Sequence, residues 1–89
     1  MTAYQIVLSE QAEREFKGLE FKIAQRITKK LELAKENPQY FFKRLVGSEY
    51  HTLRVGDYRV LAEISNEKRT IFLSSIRHRK NIYKTVEVS

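Results

Sequence analysis

The chain has 89 residues, of which 42% are hydrophobic and 31% are charged, and its formal net charge is +6. This length predicts one domain with a single core, over residues 1–89, and the composition argues against disorder. The absence of cysteine excludes disulfides and thiolate metal sites and is compatible with an intracellular protein. No signal peptide is predicted at the amino terminus, and no apolar run approaches the roughly 18 residues that a membrane span requires.

The positive charge is concentrated in the second part of the sequence. Residues 1–36 contain seven Lys or Arg and six Asp or Glu, a balance of +1, whereas residues 37–89 contain ten and five, a balance of +5. A one-sided basic field attracts polyanions such as nucleic acids. Excess lysine also keeps small proteins soluble, and charge alone does not separate these two interpretations.

A strand and a helix are predicted at the start of the chain. The β-branched run Ala3–Leu8 favours a strand. Its inward side chains are predicted to be those of Tyr4, Ile6 and Leu8. Ser9 is a suitable N-cap for the helix that follows, which has two glutamates in its first turn, where the helix dipole favours negative charge. Gly18 is expected to end this helix in a left-handed conformation.

A second helix is predicted from about Glu20 to Glu36. Asn37-Pro38 ends it, because the residue before a proline avoids helical angles. Apolar residues at helical spacing would form its buried stripe: Ile23, Ile27, Leu31 and Ala34. The two helices would form a hairpin that covers one face of a sheet, with Phe41 and Phe42 closing the edge of the core.

Three strands are predicted to form an antiparallel meander in the second half of the chain. Residues 50–64 read YHTLRVGDYRVLAEI, two alternating runs around Gly56-Asp57, which is typical of a hairpin bend. This alternation places the hairpin arginines on one face and most aliphatic side chains on the other. Residues 70–77 add a third strand after a polar turn at 65–68. There, strict alternation would set Phe72, Ser74 and Ile76 opposite to Ile71, Leu73, Ser75 and Arg77. A short helical turn is predicted near residues 81–84.

The densest functional signal is the basic segment RHRKNIYK at residues 77–84, which has four Lys or Arg and no acid. Because it begins where the last strand leaves the sheet, Arg77 is expected to share the polar face with Arg54 and Arg59. Three converging guanidinium groups can bind a phosphate bidentately. The alternative is that each arginine pairs with a surface carboxylate, for which the candidates are Glu49, Asp57 and Glu63.

Histidines and tyrosines near this face have two interpretations each. His78 is either a general base, because imidazole exchanges protons near neutral pH, or a plain surface residue. Tyr83 either presents its hydroxyl to a substrate or anchors the tail by its ring. His51 and Tyr58 align with the aliphatic face and are predicted to be structural. Two distant histidines and scattered acids do not form a metal-binding cluster, so no metal site is predicted.

The order of these elements, with LRVGDYRVLAEI followed by RHRKNIY, resembles the RelE/ParE toxin superfamily over about Ala3–Tyr83. The resemblance implies a RelE-like α+β fold and a toxin of a type II toxin–antitoxin system. The RelE branch of that superfamily cuts messenger RNA on the ribosome without a metal or another cofactor. The ParE branch shares the fold but inhibits DNA gyrase and is not a nuclease.

Matching the RelE motif residue by residue implies catalytic roles for Arg59, Arg77 and Tyr83, with His78 beside them as a second candidate base. The predicted substrate-binding residues are Arg54, Arg79 and Lys80, of which the resemblance implies Arg79. The bacterial prototype has two lysines on the second strand where this chain has Tyr50 and Thr52. Arg54, on the same face, is predicted to replace part of that charge.

The first hypothesis is therefore a cytoplasmic, metal-independent endoribonuclease that cleaves messenger RNA through attack by the RNA's own 2′-hydroxyl. Its implied partners are the ribosome with its message and a cognate antitoxin, through which the toxin–antitoxin complex would bind operator DNA. The second hypothesis is a ParE-like gyrase inhibitor without nuclease activity. A third is a basic RNA-binding module without toxicity.

Overall fold

The computed structural model describes residues 3–78, which form one five-stranded sheet with three helices. The helices are α1 (Glu10–Lys17), α2 (Phe21–Ala34) and α3 (Pro38–Phe41). The strands are β1 (Gln5–Leu8), β2 (Lys43–Arg44), β3 (His51–Val55), β4 (Tyr58–Ser65) and β5 (Thr70–His78), in the spatial order β1-β5-β4-β3-β2. The predicted α+β fold is confirmed, with an amino-terminal strand, a helical hairpin and an antiparallel meander. None of the helices within residues 3–78 has the length and apolar character needed to cross a membrane.

The first strand and helix form as their residues predict. β1 lies parallel to β5, with Leu8 opposite Leu73, and the N-cap Ser9 accepts a hydrogen bond from the Ala12 N–H at 3.0 Å. Gly18, however, is right-handed (φ −85°), so the predicted left-handed end is wrong. Its N–H donates to the carbonyls of both Arg14 and Glu15, so the last turn tightens instead of reversing.

The second helix confirms its predicted stripe, and two short elements follow that the sequence did not reveal. Ile27, Leu31 and Ala34 are buried against the sheet, and Ile23 packs at the edge of this cluster. Pro38 then opens α3, where its fixed φ suits the first helical position. β2 has only two residues, which is too short for any alternation to show. As predicted, Phe42 is buried and Phe41 packs against the core.

The hairpin has the predicted register, and its buried face forms the core. Leu53 lies opposite Val60, and both are fully buried. Gly56 at the bend has φ +59°, a left-handed conformation that favours glycine. Helices α1 and α2 pack on this buried face, so residues with the opposite orientation lie on the outer face of the sheet.

Strict alternation fails in β5 because of a β-bulge. Leu61 pairs with Ser75 but its neighbour Ala62 pairs with Leu73, so Ser74 is an extra residue. Ile76 therefore returns to the core face with Leu73, and both are buried. The predicted grouping of Ile76 with Phe72, and of Arg77 with Ile71, is wrong for this reason. The bulge is what turns Arg77 to the outer face of the sheet.

Candidate phosphate-binding site

Three arginines form one row across the outer face of the meander. Arg54 of β3 is directly opposite Arg59 of β4, which is in turn directly opposite Arg77 of β5. Directly opposed residues of antiparallel strands point to the same face, with Cα atoms about 4.5–5.5 Å apart. The register therefore places these three side chains on one face of the sheet, as predicted. We call this set the arginine row.

Arg77 is held from the side by a carboxylate on α1. β1 ends at Leu8, so the edge of β5 beyond Leu73 is covered by α1 instead. There Glu15 Oε1 accepts a hydrogen bond from the Ile76 N–H at 2.8 Å, and Glu15 Oε2 lies 2.9 Å from the buried Arg77 Nε. This second contact is an ion pair whose N–H is not aligned for a hydrogen bond. The ion pair is made through Nε of the guanidinium.

The other two arginines of the row have no acidic partner within residues 3–78. Arg59 Nη1 donates only to the Tyr58 carbonyl, at 3.3 Å, and Arg54 makes no ion pair there. In this part of the chain, none of the carboxylates proposed as alternative partners contacts the row: Glu49, Asp57 and Glu63. The alternative in which surface carboxylates neutralise each arginine therefore does not hold here.

The row is unfavourable for folding, which is informative about its role. Like charges directly opposite on adjacent strands destabilise a sheet by up to about 1 kcal/mol per pair. Within residues 3–78 only Arg77 has a carboxylate partner, so the three arginines and Glu15 together keep a net charge of about +2. A sequence that keeps such a local conflict is expected to use it for a ligand, and the complementary ligand is an anion.

His78 is not part of this cluster. It pairs with Tyr58, so its side chain lies on the face opposite to the arginine row, and the two rings meet edge to face with centroids 5.3 Å apart. Tyr58 packs against the core and His51 is half-buried, as predicted. The predicted helical turn at 81–84 lies outside the described residues. So do three of the predicted site residues: Arg79, Lys80 and Tyr83.

A groove extends the arginine row beyond the edge of β3. It has a volume of ≈ 740 Å³ and is lined by Lys30, Tyr40, Phe41, Lys43, Thr52, Arg54 and Arg59. Sequence reasoning missed Lys30, Tyr40 and Lys43. Lys43 is opposite Thr52 in the β2–β3 pair, so this lysine lies one strand away from a position where the RelE resemblance implies a lysine. The position of Lys43 beside Thr52 is evident only from the pairing of the two-residue strand β2 with β3. Within residues 3–78 no group of three or more His, Asp or Glu is placed to hold a metal ion.

Comparisons with known proteins agree with this architecture. The family model described as the ParE toxin of type II toxin–antitoxin systems matches residues 6–83. The chain therefore belongs to the ParE toxin family, within the RelE/ParE superfamily of type II toxins. None of the functionally curated proteins matches it by sequence.

Solved structures of toxins share the fold. The RelBE2 toxin–antitoxin complex of Mycobacterium tuberculosis superposes with a TM-score of 0.78 at 22% identity, covering 88% of this chain and 100% of that one. The intact E. coli RelBE complex gives a TM-score of 0.74 at 26% identity, covering 85% and 96%. A YoeB/ParE toxin from Agrobacterium tumefaciens gives 0.70 at 15% identity, covering 83% and 96%.

Proposed function

We propose that this toxin is an endoribonuclease that cuts messenger RNA on the ribosome and uses no metal. The observation that carries the proposal is the arginine row, in which Arg54, Arg59 and Arg77 face one side and only Arg77 has a carboxylate partner within residues 3–78. Phosphoryl transfer from RNA passes through a state with extra negative charge on the phosphate oxygens. Fixed guanidiniums bind that charge more strongly than the ground-state phosphate, which is the condition for catalysis.

The proposed reaction is an in-line displacement by the RNA itself. A base removes the proton of the 2′-hydroxyl, and the 2′-oxygen forms a bond to the adjacent phosphorus. The bond from phosphorus to the 5′-oxygen breaks, and that oxygen leaves with a proton from an acid. The products are a 2′,3′-cyclic phosphate and a 5′-hydroxyl, so atoms and charge balance without water or another reactant.

Arg59 and Arg77 are the proposed phosphate ligands. In this proposal Glu15 contacts Arg77 through its Nε, and the terminal amino groups of Arg77 bind phosphate oxygens bidentately. Tyr83 remains the proposed base, as the resemblance implies. His78 is the weaker candidate, because its side chain and the arginine row lie on opposite faces of the sheet.

The proposed partners follow from the charge and the family. Positioning of the message by the ribosome would supply the proximity that a small open site lacks, which is worth on the order of 7–11 kcal/mol. A cognate antitoxin, acidic where it covers the basic face, would silence the toxin in the cytoplasm and would bind operator DNA for the complex. The M. tuberculosis and E. coli neighbours are themselves toxin–antitoxin complexes.

A gyrase inhibitor without nuclease activity is the second candidate. The matching family model is that of ParE, and Tyr50 and Thr52 stand where the RelE resemblance implies lysines. The position of Lys43 opposite Thr52 weakens the gyrase-inhibitor hypothesis, because Lys43 places a cation on the same face of the sheet as Thr52.

Brief induction in cells, followed by mapping of RNA 5′ ends and by an assay for DNA breaks, separates the two. We expect new 5′-hydroxyl ends inside translated codons within minutes, with DNA intact. The Arg59→Ala variant should give no such ends, whereas Arg14→Ala, an exposed arginine on α1, should match the parent. Intact messages with broken DNA would refute the nuclease and support gyrase inhibition.

A further inference from the structure

The groove beside the arginine row has the composition of a single-stranded nucleic-acid site. Four of its seven described lining residues are cationic, and none of the seven is acidic. Two of the cations, Arg54 and Arg59, belong to the arginine row, so the groove is continuous with the proposed site of cleavage. Lys43 and Lys30 extend the positive charge along it, from the neighbouring strand and from α2 respectively. A chain of phosphates that leaves the arginine row therefore meets further cations in this direction.

An exposed aromatic ring stands in the groove. Tyr40 is 74% exposed, although large aromatic side chains are usually buried. Its ring meets the ring of Phe41 edge to face, with centroids 4.9 Å apart, and Phe41 is packed against the core. Lys30 Nζ lies 5.9 Å from the centre of the Phe41 ring, which places this ammonium beside the same aromatic pair. The orientation of Tyr40 is thus set by an anchored neighbour, while most of its surface remains exposed.

We propose that this groove binds the flanking nucleotides of the single-stranded RNA, with Lys43 and Lys30 on successive phosphates and Tyr40 stacked on a base. The inference deepens the proposed ribonuclease function and rests on it for the identity of the ligand. Aromatic faces next to cations are how proteins hold single strands without reading their sequence, because every base has a stackable face. The pairing of Lys43 with Thr52 also explains how the chain can lack a lysine at position 52, since β2 supplies a cation opposite that position.

Binding to a probe that cannot be cleaved tests the groove separately from catalysis. The probe is a fluorescently labelled, fully 2′-O-methylated single-stranded RNA of eight nucleotides, which lacks the attacking hydroxyl. Its dissociation constant is measured by anisotropy at several salt concentrations. The variants are Tyr40→Ala and Lys43→Ala. The matched controls are Phe21→Ala, whose ring is 75% exposed at the start of α2, and Lys29→Ala, an exposed lysine next to Lys30 that does not line the groove.

The two variants should fail in different ways. Tyr40→Ala should raise the dissociation constant about tenfold and leave its salt dependence unchanged, because stacking releases no counterions. Lys43→Ala should reduce the slope of log K against log salt by about 0.7, the value of one single-strand phosphate contact. Both controls should bind like the parent.

Equal binding by all variants would overturn the groove assignment, as would a parent that does not bind the probe at low salt. Preference of the parent for duplex DNA over the single strand would overturn it too. None of these results bears on cleavage, which the mapping of 5′ ends decides independently.

Discussion

Removal of the Glu15 carboxylate tests how the edge of β5 and Arg77 are held. Glu15 makes two contacts there: it accepts a hydrogen bond from the Ile76 N–H at 2.8 Å and forms the ion pair with Arg77. The Glu15→Ala variant loses both contacts. The Glu15→Gln variant keeps an amide oxygen that can accept from Ile76 and loses only the charge.

The two contacts differ in expected magnitude. A hydrogen bond between a backbone N–H and a carboxylate contributes about 1.5–3 kcal/mol. An ion pair whose side chains are 32% and 24% exposed contributes less, about 0.2–1 kcal/mol. We therefore expect Glu15→Ala to lower the free energy of unfolding by about 2 kcal/mol and Glu15→Gln by about 0.5 kcal/mol. For a domain of this size, 1 kcal/mol corresponds to roughly 4–8 °C in Tm.

Urea denaturation of the full chain, followed by circular dichroism, measures these losses. Glu13→Ala is the matched control, because Glu13 lies on the same helix, is 59% exposed and pairs with Lys17 at 3.2 Å. Its loss should not exceed about 0.5 kcal/mol. Equal losses in the Gln and Ala variants of Glu15 would show that the charge dominates and would refute the ranking of the two contacts. A loss below about 0.5 kcal/mol in Glu15→Ala would show that the carboxylate does not hold the strand edge.

Three further outcomes are expected. Ser9→Ala should lower the free energy of unfolding by about 1–2 kcal/mol in the same urea assay. The reason is that the Ser9 hydroxyl caps α1 and also donates to the Ser74 carbonyl at the bulge, at 2.9 Å. An unchanged urea midpoint of unfolding would contradict this dual role. Arg59→Ala should leave stability unchanged or raise it by up to about 1 kcal/mol, since it removes like-charge repulsion within the row, and a clear loss would show that the row is structural. A message with a single 2′-deoxynucleotide at a mapped cleavage position should resist cutting on purified ribosomes at that position only, and cutting there would exclude attack by the 2′-hydroxyl.

The hairpin of β3 and β4 was predictable because its signal is local. Alternation with period two and a Gly-Asp bend are contained within 15 residues of sequence, and the register of Leu53 with Val60 follows from the bend. The same register places Arg54 opposite Arg59, so two thirds of the arginine row could be predicted from the sequence.

The position of Arg77 depends on a contact that no local pattern contains. The bulge at Ser74 sets its orientation, and the hydroxyl that donates to the Ser74 carbonyl belongs to Ser9, 65 positions earlier in the chain. Glu15 likewise reaches Ile76 across 61 positions. Strict alternation would have placed Arg77 with the core residues of β5, so the correct expectation about this arginine came from its location at the strand end.

Lys43 was missed because of the brevity of its strand. A two-residue strand has no periodicity, and its existence depends on backbone pairing with β3. Tyr40 was missed because α3 is a single turn with Pro38 at its start, where the sequence indicates only the end of a helix. Both residues lie in the connection between the predicted hairpin and the predicted sheet, and both line the groove.

The most direct test of the arginine row is the single-turnover rate of cleavage of a message bound to purified ribosomes. The parent is compared with Arg59→Ala and Arg77→Ala, and Arg14→Ala serves as the control for a lost surface charge. We expect each substitution within the row to slow cleavage by about 10²–10³-fold, the usual cost of removing one charge-stabilising donor, and the control to cut at the parental rate. Parental rates in both row variants, with the fold intact by circular dichroism, would show that these guanidiniums do not act on the phosphate.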